Sequence, residues 1–189
     1  QHYLSHYLRG NDYKWSTALL RGLNVGKEKR IDMKDLKRIF ESLNFEKVST
    51  YINSGNIFFE TEKEQKDLDQ EVKEILKTEY ALVFPTLIKT EEEIKYIANA
   101  IPEEWQNNSE EKTDVAYLFS EIDSEEILNE LPFKREYIEV SYVKGALLWN
   151  VKRKNYNKSQ LNKIIGHRLY QFMTVRNVNT ARYLAWKKK

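Results

Sequence analysis

The chain has 189 residues, 31 of them basic and 29 acidic, for a net charge of +2. That length suits one ordinary domain or two small units, and so even a charge balance argues against a wholesale nucleic-acid binder while leaving room for a local basic patch. Cysteine is absent, which excludes disulfides, thiolate catalysis and cysteine-based metal sites. No run approaches the roughly 18 consecutive apolar residues of a membrane span and no signal-peptide pattern opens the chain, so the expectation is a cytoplasmic protein with no membrane partner.

Residues 1–12 carry two near-copies of His-Tyr-Leu, at His2-Tyr3-Leu4 and His6-Tyr7-Leu8, and read as a leader or added segment. His2 and His6 would share a helical face, but two ligands without a third make a poor metal site, so no metal is expected. Trp15 to Leu20 reads as a buried strand that breaks into the glycine-punctuated loop Arg21-Gly22-Leu23-Asn24-Val25-Gly26, followed by Lys27, Lys29 and Arg30. Asp32 is placed to cap a helix whose apolar face is Met33, Leu36, Ile39, Phe40 and Leu43, ending at Asn44. Val48 to Ile52 and Asn56 to Phe59 read as strands joined by the turn Asn53-Ser54-Gly55. An amphipathic helix through Leu68, Val72, Ile75 and Leu76 follows, then a strand from Ala81 to Ile88 whose Pro85 suits an edge.

Thr90 and Glu93 resemble a capping box for a further helix. The acidic stretch Pro102 to Lys112 is the expected boundary, dividing the chain into 13–104 and 105–189. Beyond it the order returns: a strand from Val115 to Phe119, a short helix through Ile127, Leu128 and Leu131, and a hairpin of Tyr137 to Val143 and Ala146 to Val151 turning at Lys144-Gly145. A helix through Leu161, Ile164 and Ile165, a strand from Phe172 to Val175 and a last helix complete it. Gly55 and Gly145 lie 90 positions apart. The fold expected is therefore α+β, with two tandem ferredoxin-like (α–β plait, βαββαβ) units and an extra helix after each. Strands such as Ala18-Leu19-Leu20 and Ile57-Phe58-Phe59 are apolar on both faces, which predicts two sheets covering each other's open faces in one compact body.

In this connectivity the first two strands run the same way with the third between them, so the strand exit at Arg21 and the hairpin Asn53 to Asn56 should share one end of the sheet. Arg21, Asn24, Asn53, Ser54 and Asn56 are the candidate ligand-binding residues: a guanidinium fork suits carboxylate or phosphate, and amides orient a planar or hydroxylated ligand. Turn chemistry accounts for each of them singly, since Asn and Ser bond their own backbone at turns. Arg176 and Asn177, at the passage from the last strand to the last helix, are carried as a second half of the site, with Asn177 or Asn179 as the helix cap. The corresponding loop of the second repeat, Phe119-Ser120-Glu121, lacks both the Arg and the Asn.

The blocks Ala18 to Gly26, Thr50 to Ile57 and Thr174 to Thr180, with Trp149 and Lys158-Ser159, resemble the signature of an uncharacterised, mainly bacterial family, domain of unknown function 1697, from about Tyr13 onward. The resemblance implies tandem α–β plait units and no established activity, substrate or catalytic residue. The chain departs from the usual pattern at Lys27, Asn53 and Val178, where glycine, glutamine and tryptophan are common; the last change removes an aromatic stacking surface or a packing residue.

Three functions compete. The first is a binder of a small anionic or nucleotide-like ligand at the Arg21 pole. The second is a nucleic-acid-binding module, for which Asn56 and Thr61 stand where stacking aromatics are expected. The third is an enzyme of unassigned class relying on Arg21 electrostatics. His167 is expected to cap or face solvent, and Ser54 lacks a nucleophile-elbow pattern. With no P-loop, dinucleotide fingerprint or metal-ligand cluster, no cofactor is expected.

Overall fold

The computed structural model describes residues 12–22, 31–52, 54–81 and 84–186. The leader, with His2 and His6, and the Lys27, Lys29 and Arg30 loop lie outside them. The fold is mixed α+β: two four-stranded antiparallel sheets and four α-helices among the described residues. The chain divides into two compact units between Glu91 and Glu92, ahead of the helix that the sequence reading assigned to the first half.

In the first unit, β1 (Lys14–Leu20) leads to α1 (Met33–Ser42), then β2 (Glu46–Tyr51), β3 (Asn56–Thr61), α2 (Gln65–Tyr80) and β4 (Thr86–Thr90). The sheet order is β2-β3-β1-β4. β3 is antiparallel to both neighbours, so β1 and β2 run the same way, as the connectivity predicts. Asp32 caps α1, its Oδ1 accepting from Lys34 N at 2.9 Å. The helix stops where Asn44 turns to φ 64°, a left-handed conformation Asn tolerates. Leu36, Ile39 and Phe40 are buried on α1, and Phe40, Phe45 and Phe59 cluster, with the last two rings stacked at 4.4 Å. Each such buried side chain contributes about 1.5–3 kcal/mol. The fourth strand starts at Thr86 and not at Ala81, because Ala81 takes φ 55° to end α2. β4 is an edge strand, the place Pro85 favoured.

The second unit takes up α3 (Glu91–Asn99), β5 (Glu111–Leu118), β6 (Ile138–Val143), β7 (Ala146–Lys152), β8 (Met173–Asn177) and α4 (Val178–Trp186), with sheet order β6-β7-β5-β8. Two expected helices are absent as such. Around Ile127 the chain makes the 3-10 turn Glu125–Asn129, and around Leu161 the turn Leu161–Lys163, followed by Arg168–Phe172. The first is stopped by Pro132, and the second starts from Gln160 at φ 64°. Segments this short cannot recover the cost of nucleating an α-helix. The acidic stretch is ordered rather than a bare linker: Trp105 is buried, Asn108 Oδ1 accepts from Glu110 N and Glu111 N, and β5 already begins at Glu111. Trp149 anchors this unit's core, donating Nε1 to Asp114 Oδ2 at 2.8 Å while its ring meets Phe133 edge-on.

Both faces of each sheet are buried. In the first unit Ala18, Leu20, Ile57, Phe59 and Ile88 belong to the core that holds the helices. The alternate residues Thr17, Leu19, Asn56, Phe58 and Lys89, on the other face by strand alternation, are buried too. In the second unit Thr113, Val115, Tyr117, Leu148, Thr174 and Arg176 repeat that pattern.

Candidate functional site

Two backbone hydrogen bonds assemble the end of the first sheet. Leu20 N donates to Gly55 O at 2.9 Å, and Arg21 N donates to Pro85 O at 2.8 Å. The exit of β1, the β2–β3 hairpin and the entry to β4 therefore share one rim, with Arg21 half-buried upon it. Gly22 at φ 73° and Gly55 at φ 82° turn the chain at both sides of this rim in the region glycine alone enters freely.

The second unit repeats the construction. Leu118 N donates to Gly145 O at 2.8 Å and Phe119 N to Phe172 O at 2.9 Å, so Phe119 stands where Arg21 does. Gly145, like Gly55, has a positive φ. Here, however, the hairpin end is occupied from within: Asp123 Oδ1 accepts from Gly145 N at 2.9 Å and from Tyr142 Oη at 2.7 Å. Burial first, and then this hydrogen bond to a carboxylate, push the Tyr142 hydroxyl up to about 12. Asp123 is four residues after Phe119; four after Arg21 the sequence has Val25, which lies outside the described residues.

The candidate residues fare unequally. Asn24 and Asn53 lie outside the described residues. Ser54 is half-buried at the rim, its Oγ accepting from Asn56 Nδ2 at 2.8 Å. Asn56 is fully buried, and Nδ2 also donates to Tyr51 O at 3.0 Å, so its amide holds the hairpin together. Asn177 caps α4, its Oδ1 accepting from Thr180 N at 3.0 Å, so turn chemistry accounts for it. Arg176 is 7% exposed, with Nη1 donating to Thr174 Oγ1 at 2.6 Å and Val175 O at 3.2 Å. Burial pulls its guanidinium down to about 10, against the opposing effect of the Tyr117 hydroxyl. It is a residue of the covered sheet face.

Other sequence readings resolve cleanly. His167 Nδ1 accepts from Leu169 N at 3.2 Å, the capping role expected. Val178 is fully buried at the start of α4, so the position where tryptophan is common is a packing position in this chain. Phe58, the aromatic nearest to an RNA-stacking arrangement, is 3% exposed on a closed face, which is incompatible with bases stacking there.

A feature that sequence reasoning missed lies at the opposite end of the first sheet. A cavity of about 490 Å³ opens there, lined among others by Lys14, Ser16, Thr61, Gln65, Leu68 and Thr90. The only sequence signal was a serine and two threonines interrupting apolar rows on three separate strands, and nothing in the linear order shows that these three positions adjoin.

The fold has a solved counterpart. A structure titled as that of the conserved bacterial protein SP0830 from Streptococcus pneumoniae superposes with a TM-score of 0.79 at 23% identity, covering 92% of this chain and 97% of that one. At that identity the likeness concerns the fold. No curated protein matches the chain. The model of one family, described as a protein of unknown function (DUF1697), matches residues 15–149, and the chain belongs to that family.

Proposed function

We propose that the first unit binds a small anionic ligand, carboxylate or phosphate, at the rim formed by Arg21 and the Ser54-Gly55 turn, in a chain built as two tandem α–β plait units. The observation that carries this reading is the Asp123 carboxylate on Gly145 N in the second unit. There the hairpin end is matched to an anion supplied by the chain itself. In the first unit the same backbone scaffold carries Arg21 in place of Phe119. A guanidinium fork beside a hairpin amide is suited to an external anion of either kind. The matching strand orders, β2-β3-β1-β4 and β6-β7-β5-β8, support the tandem reading.

The test is a thermal-shift and calorimetric screen of nucleoside phosphates, inorganic phosphate and small carboxylates against the parent chain and Arg21→Ala. Saturable stabilisation of the parent that weakens at least tenfold in the variant is expected, since hydrogen bonds to charged groups contribute about 1.5–3 kcal/mol. Equal stabilisation of both proteins, or none by any anion, refutes the reading.

A further inference from the structure

The cavity at the far end of the first sheet has a constructed floor. On the helix-facing side, three rows of the core run Leu20-Ala18-Ser16 along β1, Ile57-Phe59-Thr61 along β3 and Ile88-Thr90 along β4. Register places Ser16 opposite Thr90 and Lys14 opposite Thr61. Each apolar row thus ends in a hydroxyl, and these hydroxyls line the same cavity. Ser16 is 6% and Thr61 4% exposed. Thr61 Oγ1 accepts from Lys63 N at 3.1 Å, while Ser16 Oγ has no hydrogen-bond partner among the described residues. The Ser16 hydroxyl is open to the cavity and not sealed in the core, so it is available to a bound molecule. A ligand in the cavity would supply what Ser16 lacks.

The charges around the floor specify the ligand. Lys14 stands next to the hydroxyls, and the first turn of the 16-residue α2 begins at the wall, its Glu64 cap giving no side-chain hydrogen bond to the helix amides. Glu64 at that end offsets the pull the helix N-terminus would exert on an anion. Lys63 adds little, because both Glu71 carboxylate oxygens hold it, at 2.6 and 2.7 Å. Asp12, Glu62 and Glu64 also line the cavity, and three carboxylates disfavour a ligand that is only anionic. The volume of about 490 Å³ lies within the usual range for small-molecule sites.

We infer that this cavity is a second ligand site, for a small zwitterion of the free amino-acid class. The ligand carboxylate sits on the Lys14, Ser16 and Thr61 floor, and its ammonium faces Glu62 and Glu64. The site is independent of the Arg21 rim.

Calorimetry on the full chain with glycine, L-serine, L-glutamate and L-lysine, and with acetate and methylammonium as single-charge controls, tests it. At least one amino acid should bind saturably and more tightly than either control. Thr61→Val, which keeps the side-chain shape, and Ser16→Ala should each weaken it roughly tenfold, whereas Arg21→Ala should leave it unchanged. Amide resonances of Ser16, Thr61 and Thr90 should move on titration, reporting the location even if one variant folds poorly. The inference is overturned if no amino acid binds, if acetate binds as tightly, if folded Thr61→Val keeps full affinity, or if the shifts fall elsewhere. If no anion stabilises the parent chain while an amino acid still binds here, the rim alone is refuted.

Discussion

Asn56 is the side chain on which the shape of the Arg21 rim depends, and its replacement gives a sharp test. It is fully buried, pairs with Leu19 on one side and Tyr51 on the other, and donates Nδ2 to Tyr51 O at 3.0 Å and Ser54 Oγ at 2.8 Å. Asn56→Ala removes two hydrogen bonds, each with a net value of about 1 kcal/mol, and leaves a buried carbonyl short of a partner at a further cost of about 1–2 kcal/mol. A loss of about 3–4 kcal/mol is therefore expected, read from urea denaturation monitored by tryptophan fluorescence. Asn56→Asp is isosteric and worse at neutral pH, because it sets carboxylate oxygens against the Tyr51 carbonyl and the Ser54 hydroxyl with no water to solvate the charge. Its folded-state pKa would lie above the unfolded value near 3.9. Its stability is then greatest below that value and falls as pH rises through the folded pKa. Asn56→Ala should show no such profile. A loss below 0.5 kcal/mol for Asn56→Ala, or a pH-independent Asn56→Asp, would refute the structural role assigned to this amide.

Tyr80 carries a buried hydroxyl with no hydrogen-bond partner among the described residues, so Tyr80→Phe should be neutral or stabilising by up to about 1 kcal/mol, raising Tm by roughly 2–4 °C; a lower Tm would contradict it. Trp149→Phe removes the indole hydrogen bond to buried Asp114 and leaves a void against Phe133, and calorimetry should show a loss of about 2–4 kcal/mol, confined to the second unit. Alkaline stability has a definite sign. The Tyr142 hydroxyl at about 12 lies above its unfolded value of about 10, so its contribution is complete below pH 10 and is lost as pH rises from there through 12. Tyr80 and Tyr117, both raised by burial, act the same way. Arg176 acts oppositely, since a guanidinium lowered to about 10 gains relative stability as pH rises past that value. Three groups outweigh one, so denaturation midpoints should fall above pH 10, and Tyr142→Phe should flatten the fall.

Periodicity made much of the first unit legible. Asp32 and Asn44 bound α1 because capping and left-handed turns are written in single residue types, and Pro85 marked an edge because its missing N–H is a local fact. The second unit was less legible. Ile127-Leu128-Leu131 and Leu161-Ile164-Ile165 have helical spacing, and spacing cannot distinguish an α-helix from consecutive 3-10 turns that bury the same side chains. At the site, adjacency of the β1 exit and the hairpin followed from topology, whereas the use of Asn56 and Asn177 by their own backbone depended on side-chain direction. Arg176 shows the same gap: a polar run at a helix start reads as the second half of a site, but strand alternation turns Arg176 onto a buried sheet face.

The two halves also explain each other. In the second unit the hairpin amide is saturated by Asp123, and the residue at the count of Arg21 is Phe119, so that rim is internally neutralised and closed to outside anions. In the first, arginine stands in place of that phenylalanine. The rims thus differ in the charged group they carry, a carboxylate at Asp123 in one and a guanidinium at Arg21 in the other. The consequence is a difference in what each rim can accept, which is the distinction the proposed anion site at Arg21 requires.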